Sequence, residues 1–135
     1  MNRLIELNRE DMYVRVEAGM SWKALHEALE GTGLTTPYWG TLSGLHATVG
    51  GGMSQNSIFW GSGRHGSAAN SVIGLEVVLA SGEVTRVGRR TVKGVSGYDL
   101  CSLLVGSEVF WDEGEGDARV RADVGVGEAK VYLEQ

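Results

Sequence analysis

Short runs of alternating apolar and polar residues open the chain. Residues 4–7 and 12–18 have apolar side chains at roughly every second position, and a polar segment lies between them. Such alternation predicts two short strands that each bury one face and are joined by a turn. Helical spacing of apolar residues follows, with Ser21 suited to the N-cap and Gly31 to the end, so a helix is predicted over 21–30.

A second pair of strands and a second helix are predicted farther along. Residues 72–80 are largely apolar, which is typical of a strand buried on both faces. The dipeptide Ser81-Gly82 is a two-residue turn signal, so residues 83–87 are expected to return as the hairpin partner. The next helix is predicted over 98–105, with Asp99 as its N-cap.

The predicted fold class is α+β. The four strands are expected to form one mixed sheet, with the two helices packed on it. Eight apolar residues of these elements are expected to form the centre of the core. They are Leu25, Leu29, Leu75, Val77, Leu79, Leu100, Leu103 and Leu104.

Composition and charge exclude several classes of protein. The 135 residues suit a single domain with one core. A net charge of −5, without a basic run, makes nucleic acid an unsuitable partner. The single cysteine, Cys101, excludes an internal disulfide, and the three histidines lack the spacing of a metal site. No stretch approaches the length of a membrane span, and the expected location is the cytoplasm.

Glycine is the unusual feature, with 21 residues in the chain. Many lie in residues 34–66, which show neither helical nor strand period, and a structureless stretch of that length usually serves a function. Within it, Thr48 precedes Val49 and three consecutive glycines. Backbone N–H groups without side chains around them can bind an anion, and a diphosphate is the natural candidate. A tight turn between two elements is the alternative, because these three glycines do not form the nucleotide-binding pattern G-x-G-x-x-G after a strand.

A second glycine-rich run, residues 61–66, contains Arg64 and His65. Its small side chains suit a flat ring lying against the backbone, and Arg64 could face a negative charge. A surface loop with a solvated arginine explains the same residues equally well. The neighbouring aromatic residue Trp60 is interpreted either as a wall for an aromatic cofactor or as core filling.

Five motifs in order resemble one family. They are Val14-Arg15-Val16-Glu17-Ala18-Gly19-Met20-Ser21-Trp22-Lys23-Ala24-Leu25, then Ala47-Thr48-Val49-Gly50-Gly51, then Gly74-Leu75-Glu76-Val77-Val78-Leu79-Ala80-Ser81-Gly82, then Lys93-Gly94-Val95-Ser96-Gly97-Tyr98-Asp99-Leu100, and finally Gly106-Ser107-Glu108. Together they are similar to the second lobe of the FAD-binding domain of the vanillyl-alcohol oxidase and p-cresol methylhydroxylase superfamily, of the bacterial glycolate oxidase and D-lactate dehydrogenase type.

The resemblance implies FAD as the cofactor and assigns roles by position. Contacts to the cofactor are expected from the Thr48 loop, from residues upstream of it, from the 61–66 run and from the last motif. The implied residues are Ser43, Gly44, Thr48, Val49, Gly50, Gly51, Asn56, Gly61, Gly63, Gly66 and Glu108. No catalytic residue and no metal ligand is assigned.

The chain also departs from the family pattern. Members carry an earlier phosphate-binding lobe and a later substrate domain, so residues 1–108 are interpreted as a partial FAD-binding domain that binds FAD weakly. Residues 109–135, here called the C-terminal tail, lack the continuation G-x-L-G and show no sustained period. We expect the tail to pack poorly. A slip of reading frame after Glu108 would explain it, since the codons of Phe110, Trp111 and Asp112 encode Leu-Gly in another frame.

The function implied by the resemblance is the FAD-binding portion of a flavin-dependent oxidoreductase acting on a 2-hydroxy acid or an alcohol. The chain is interpreted as truncated and inactive by itself. One alternative is a non-catalytic subunit that completes a flavin site with a companion polypeptide carrying the missing lobe or the substrate domain. The other alternative is an inactive gene remnant.

Overall fold

A five-stranded sheet organises the molecule in the computed structural model, which describes residues 1–37, 45–58, 60–79, 81–89, 97–107, 110–112, 119–121 and 124–133. Its strand order is β1-β2-β7-β3-β4. The strands of this sheet are β1 (Leu4–Asn8), β2 (Tyr13–Glu17), β3 (Val72–Leu79), β4 (Val84–Gly88) and β7 (Val124–Tyr132). The helices are α1 (Trp22–Leu29), α2 (Val49–Ser54), α3 (Ser62–His65) and α4 (Leu100–Leu104), with a 3₁₀ turn at Ala68–Asn70. Strands β5 (Phe110–Asp112) and β6 (Arg119–Arg121) pair with each other as a separate hairpin.

The α+β class is confirmed, and the four predicted strands lie within two residues of their expected bounds. Each of the four strand pairings in the sheet is antiparallel, so the expectation of mixed strand directions is corrected. Alternation in β2 separates its two faces as the sequence pattern predicts. Val14 and Val16 are fully buried in the core, whereas the Tyr13 hydroxyl on the other face donates to Glu6 at 2.6 Å.

The C-terminal tail supplies the middle of the sheet. Strand β7 lies between β2 and β3 and pairs antiparallel with both. Val131 and Leu133 are fully buried in the core cluster. The expectation of a poorly packed tail is therefore corrected at Val131 and Leu133.

Helix α1 forms as the sequence predicts. Ser21 is its N-cap and its hydroxyl accepts from Ala24 N at 3.1 Å, while Gly31 follows the helix with φ +74°. Trp22, Leu25 and Leu29 are buried along one face, which places the helix against the sheet.

Helix α4 buries a different set of residues from the one expected. Asp99 caps it as predicted, accepting from Ser102 N at 3.1 Å. The residue that α4 buries is Cys101, while Leu104 is partly buried. Leu100 and Leu103 are 45% and 72% exposed, so their predicted place in the core is wrong. Of the other expected core residues, Leu25, Leu29, Leu75 and Val77 are buried and Leu79 is partly buried.

Candidate functional site

Helix α2 occupies the glycine-rich segment in which no regular element was predicted. Three glycines in six residues disfavour a helix by roughly 1 kcal/mol each relative to alanine. Packing compensates for this, because Val49 and Met53, four residues apart on one face, are both fully buried. Thr48 is the N-cap. The segment is therefore ordered by tertiary contacts rather than by helix propensity.

The N–H groups at the start of α2 all donate within the chain. Val49 N donates to Met20 O at 2.8 Å, Gly50 N to Ala18 O at 2.8 Å, Gly51 N to Thr48 Oγ1 at 3.1 Å and Gly52 N to Thr48 O at 3.0 Å. The expectation that these N–H groups are directed at an anion is therefore wrong. Their acceptors, apart from the capping Thr48, belong to the connection between β2 and α1.

Two adjacent glycines in this loop have different surroundings. A Cβ on Gly50 would lie 2.6 Å from the Cβ of Ala18, so the fold itself requires glycine there. A Cβ on Gly51 would meet only the Thr48 hydroxyl, at 3.2 Å, and Gly51 is exposed. Packing thus explains the first glycine, and the second leaves bare backbone at the surface.

The glycines of the 61–66 run also differ in whether the fold leaves room for a side chain. Gly61 and Gly66 have φ values of +104° and +82°, which disfavour any other residue, and each is crowded by a neighbour. Gly63 has no positive φ, and an added Cβ there would find nothing within 4 Å. It lies exposed in the middle of α3. Gly63 is therefore a second glycine for which the packing of the described residues gives no reason.

Asn56 joins three segments of the candidate site. It has φ +48°, and its Oδ1 accepts from Ala69 N at 3.1 Å in the 3₁₀ turn. A Cβ added to Gly106 would lie 3.1 Å from the Asn56 Cβ, and Gly106 N donates to Met53 O at 3.0 Å. The structure thus brings together the end of α2, the 3₁₀ turn and the start of the last motif. Ser43, Gly44 and Glu108 lie outside the described residues.

The apolar residues flanking these glycines are open to solvent. Trp60 is 69% exposed, Ile58 79% and Leu45 54%, so the interpretation of Trp60 as core filling is wrong. Arg64 is exposed on α3. Within the described part of the chain, no three His, Cys, Asp or Glu residues are grouped as a metal site would require. The described residues also include no helix long and apolar enough to cross a bilayer.

Cys101 is not a nucleophile poised for chemistry, because burial in the core raises the pKa of its thiol. Glu17, at the end of β2, is the titratable residue whose role the sequence did not reveal. It is buried, and hydrogen bonds from the Arg3 side chain and backbone lower its pKa to about 2. The signal available in the sequence was a charged residue at the end of an otherwise buried strand.

Comparison with known proteins shows the family to which the chain belongs. A family model described as "FAD binding domain" matches residues 1–88. Glycolate oxidase subunit GlcD of Bacillus subtilis is 37% identical over 108 residues, which are 80% of this chain and 23% of that protein. The mitochondrial D-lactate dehydrogenase [cytochrome] of Arabidopsis thaliana is 39% identical over 80% of this chain and 18% of its own length. A D-2-hydroxyglutarate dehydrogenase of Xanthomonas citri is 34% identical over 80% of this chain and 23% of its own.

The likeness of fold extends farther than the likeness of sequence. A solved structure of alkyldihydroxyacetonephosphate synthase matches with a TM-score of 0.72 and 18% identity, over 99% of this chain and 23% of that one. The match therefore includes the C-terminal tail, although the curated relatives match 80% of the chain. The chain spans about a fifth of the length of these relatives. By its match to the family model over residues 1–88, the chain belongs to the family of FAD binding domains, and its cofactor is FAD.

Proposed function

We propose that this chain forms the part of an oxidoreductase that holds FAD, and that the whole enzyme oxidises a 2-hydroxy acid or an alcohol. The names of the relatives support the substrate class, since they include glycolate, D-lactate and D-2-hydroxyglutarate enzymes. When bound, FAD accepts the hydride that such a substrate loses. The residues of this chain bind and orient the cofactor.

The observation that carries the site assignment is the bare backbone at Gly51 and Gly63. Glycine disfavours helical structure, and both residues lie in helices where the fold leaves room for a side chain. Close approach of a ligand to the backbone is the remaining physical reason for glycine at such positions. We propose that both contact FAD directly.

The other predicted site residues have different proposed roles. Val49 and Gly50 are buried, so their proposed role is to set the position of the loop rather than to contact FAD. Asn56 holds the converging segments together through its bond to Ala69. Thr48 is half-buried at the helix start, and its hydroxyl is available for a second hydrogen bond to the cofactor. For Ser43, Gly44 and Glu108 the proposal rests on the family resemblance.

Completion of a flavin site with a companion polypeptide is the second candidate function. This chain spans about a fifth of its relatives' length, and its sequence assigns no residue as a substrate base. We therefore expect no turnover of glycolate or D-lactate by the chain alone. Addition of a polypeptide that carries the remainder of such an enzyme would restore turnover if this second candidate holds. An inactive remnant would show no turnover with any such partner.

Titration with FAD tests the proposal, with flavin fluorescence as the signal. We expect saturable binding by the chain and weaker binding by Gly63→Ala, because the added methyl group would occupy the surface proposed for the cofactor. Val84→Ala is the control, since it changes an exposed side chain on the edge strand β4 without a change in backbone strain. Equal affinity of all three proteins would contradict the proposed FAD contact at Gly63. If none of them binds FAD, the proposal that this chain holds FAD is wrong.

The proposed location is the cytoplasm. The D-lactate dehydrogenase of Arabidopsis thaliana carries a mitochondrial name, whereas the glycolate oxidase relative is bacterial, so the compartment differs within the family. Fractionation of cells that express the chain, followed by detection in each fraction, tests the location.

A further inference from the structure

The connection between β2 and α1, residues 17–20, holds the first turn of α2. Two hydrogen bonds of 2.8 Å join them: Ala18 O accepts from Gly50 N, and Met20 O accepts from Val49 N. The connection is itself closed by a third bond, from Met20 N to Glu17 O at 3.0 Å. The position of the loop at 48–51 therefore depends on the conformation of residues 17–20.

Glu17 fastens this connection to the N-terminal segment. Its carboxylate accepts three hydrogen bonds from Arg3: from the backbone N at 2.9 Å, from Nε at 3.0 Å and from Nη2 at 2.7 Å. The Glu17 N–H donates in turn to Arg3 O at 2.9 Å. The amino group of Met1 lies 3.9 Å from the same carboxylate, and Gly19 leaves no room for a side chain beside the Met1 carbonyl. Residues 1–3 thus lie against the connection and stabilise its conformation.

The charge on Glu17 is constant at neutral pH. Hydrogen bonds from Arg3 lower the pKa of this carboxyl to about 2, so it is ionised throughout the physiological range. The Glu17 side chain is 11% exposed, whereas the Arg3 side chain is 79% exposed. Such charge-assisted bonds to a largely enclosed acceptor are short and directional, which suits a fixed support.

We infer that Glu17 is a positioning residue for the FAD loop at 48–51. It acts through the carbonyl groups of Ala18 and Met20, and it does not touch the cofactor. The inference that FAD affinity depends on Glu17 rests on the function proposed above, whereas the mechanical link from Glu17 to Gly50 does not.

Amide hydrogen exchange followed by NMR tests the link on the whole chain without FAD. In Glu17→Gln we expect exchange at Val49 and Gly50 to accelerate on the order of tenfold relative to Leu25, since weakened support opens the loop locally. Arg3→Gln should give the same local change, and it removes an exposed side chain, so it leaves no cavity. The control is Glu6→Gln, which breaks the 3.6 Å ion pair between Glu6 in β1 and Arg15 in β2.

FAD titration of the same variants distinguishes the link from Glu17 to Gly50 from the effect of Glu17 on FAD affinity. The inference is supported if Glu17→Gln and Arg3→Gln both show the local change in exchange and bind FAD several-fold more weakly. Glu6→Gln should show neither effect. Exchange that changes equally at Val49, Gly50 and Leu25 would overturn it, because Glu17 would then serve only global stability. A local change with unaltered FAD affinity would also overturn it. A local change in a protein that binds no FAD at all would support the link and contradict the proposed function.

Discussion

One added methyl group should have opposite effects at two adjacent positions of α2. In Gly50→Ala the new Cβ would lie 2.6 Å from the Cβ of Ala18 and 3.0 Å from its carbonyl oxygen. An ordinary carbon–carbon contact is about 3.5–4.0 Å, so the chain must move by about 1 Å. In Gly51→Ala the new Cβ meets only Thr48 Oγ1 at 3.2 Å, and a hydroxyl can yield by a few tenths of an ångström.

The expected magnitudes follow from these contacts. Overpacking costs roughly 1–3 kcal/mol, and replacement of a helical glycine by alanine returns about 0.5–1 kcal/mol. Gly50→Ala should therefore lower the free energy of unfolding by about 1–2 kcal/mol, which for a chain of this size lowers Tm by roughly 3–10 °C. Gly51→Ala should leave Tm unchanged or raise it by up to about 5 °C. Its FAD affinity should nevertheless fall by about tenfold or more, a loss of about 1.4 kcal/mol.

Thermal unfolding followed by circular dichroism and FAD titration followed by fluorescence measure the two quantities on the same samples. The reasoning predicts that stability and affinity separate in Gly51→Ala. If that variant loses as much stability as Gly50→Ala, the distinction between the two glycines is wrong. If it is stable and binds FAD as tightly as the parent, the exposed backbone at Gly51 is not a cofactor contact.

Four further predictions concern stability, FAD affinity and the coding sequence. Because the pKa of Glu17 is lowered from 4.5 to about 2, its contribution to stability is present above pH 4.5 and is lost as the pH falls towards 2; the acid-dependent fall in Tm should be smaller in Glu17→Gln. A chain ending at residue 123 should show no cooperative unfolding, because it lacks the central strand β7, whereas a chain ending at residue 133 should unfold cooperatively. The 135-residue chain should bind FAD no more tightly than about 1 μM, since it spans about a fifth of its relatives' length and each charge-assisted bond that the remainder could add would contribute ~1.5–3 kcal/mol. Sequencing of the locus tests the reading-frame hypothesis: a shifted frame that continues into a substrate domain would support it, and an immediate stop codon would leave the tail native, as the buried Val131 and Leu133 favour.

Local signals in the sequence were sufficient for strands β1 to β4 and for helices α1 and α4. Alternation predicted β2, the Ser81-Gly82 turn predicted the β3–β4 hairpin, and Ser21 and Asp99 were correctly identified as helix caps. Each of these features depends on neighbours within a few residues. The family motifs, likewise local, were sufficient for the cofactor.

The rest depended on contacts between distant parts of the chain. Helix α2 contradicts the propensity of three glycines and is held by bonds to Ala18 and Met20, which a periodicity argument does not contain. Strand β7 was not predicted, because its sequence shows no sustained alternation and its place in the sheet depends on pairing with the distant strands β2 and β3. The inward face of α4 was predicted from leucine spacing, yet the helix buries Cys101 instead.

The same limit applied to the candidate site. Sequence reasoning treated the glycines as one class that presents N–H groups to an anion. The structure separates those that packing requires, such as Gly50, from those that it leaves bare, such as Gly51 and Gly63. Such a separation needs the positions of Ala18 and of the 61–66 run in space.

The central claim is that FAD lies against the bare backbone of α2 and α3. Titration of ¹⁵N-labelled chain with FAD, monitored by amide chemical shifts, tests it most directly. The account predicts that the largest shifts occur at Thr48, Gly51 and Gly63, with little change along the edge strand β4. Shifts that centre on the exposed leucines of α4, Leu100 and Leu103, while Gly51 and Gly63 stay unchanged, would contradict it.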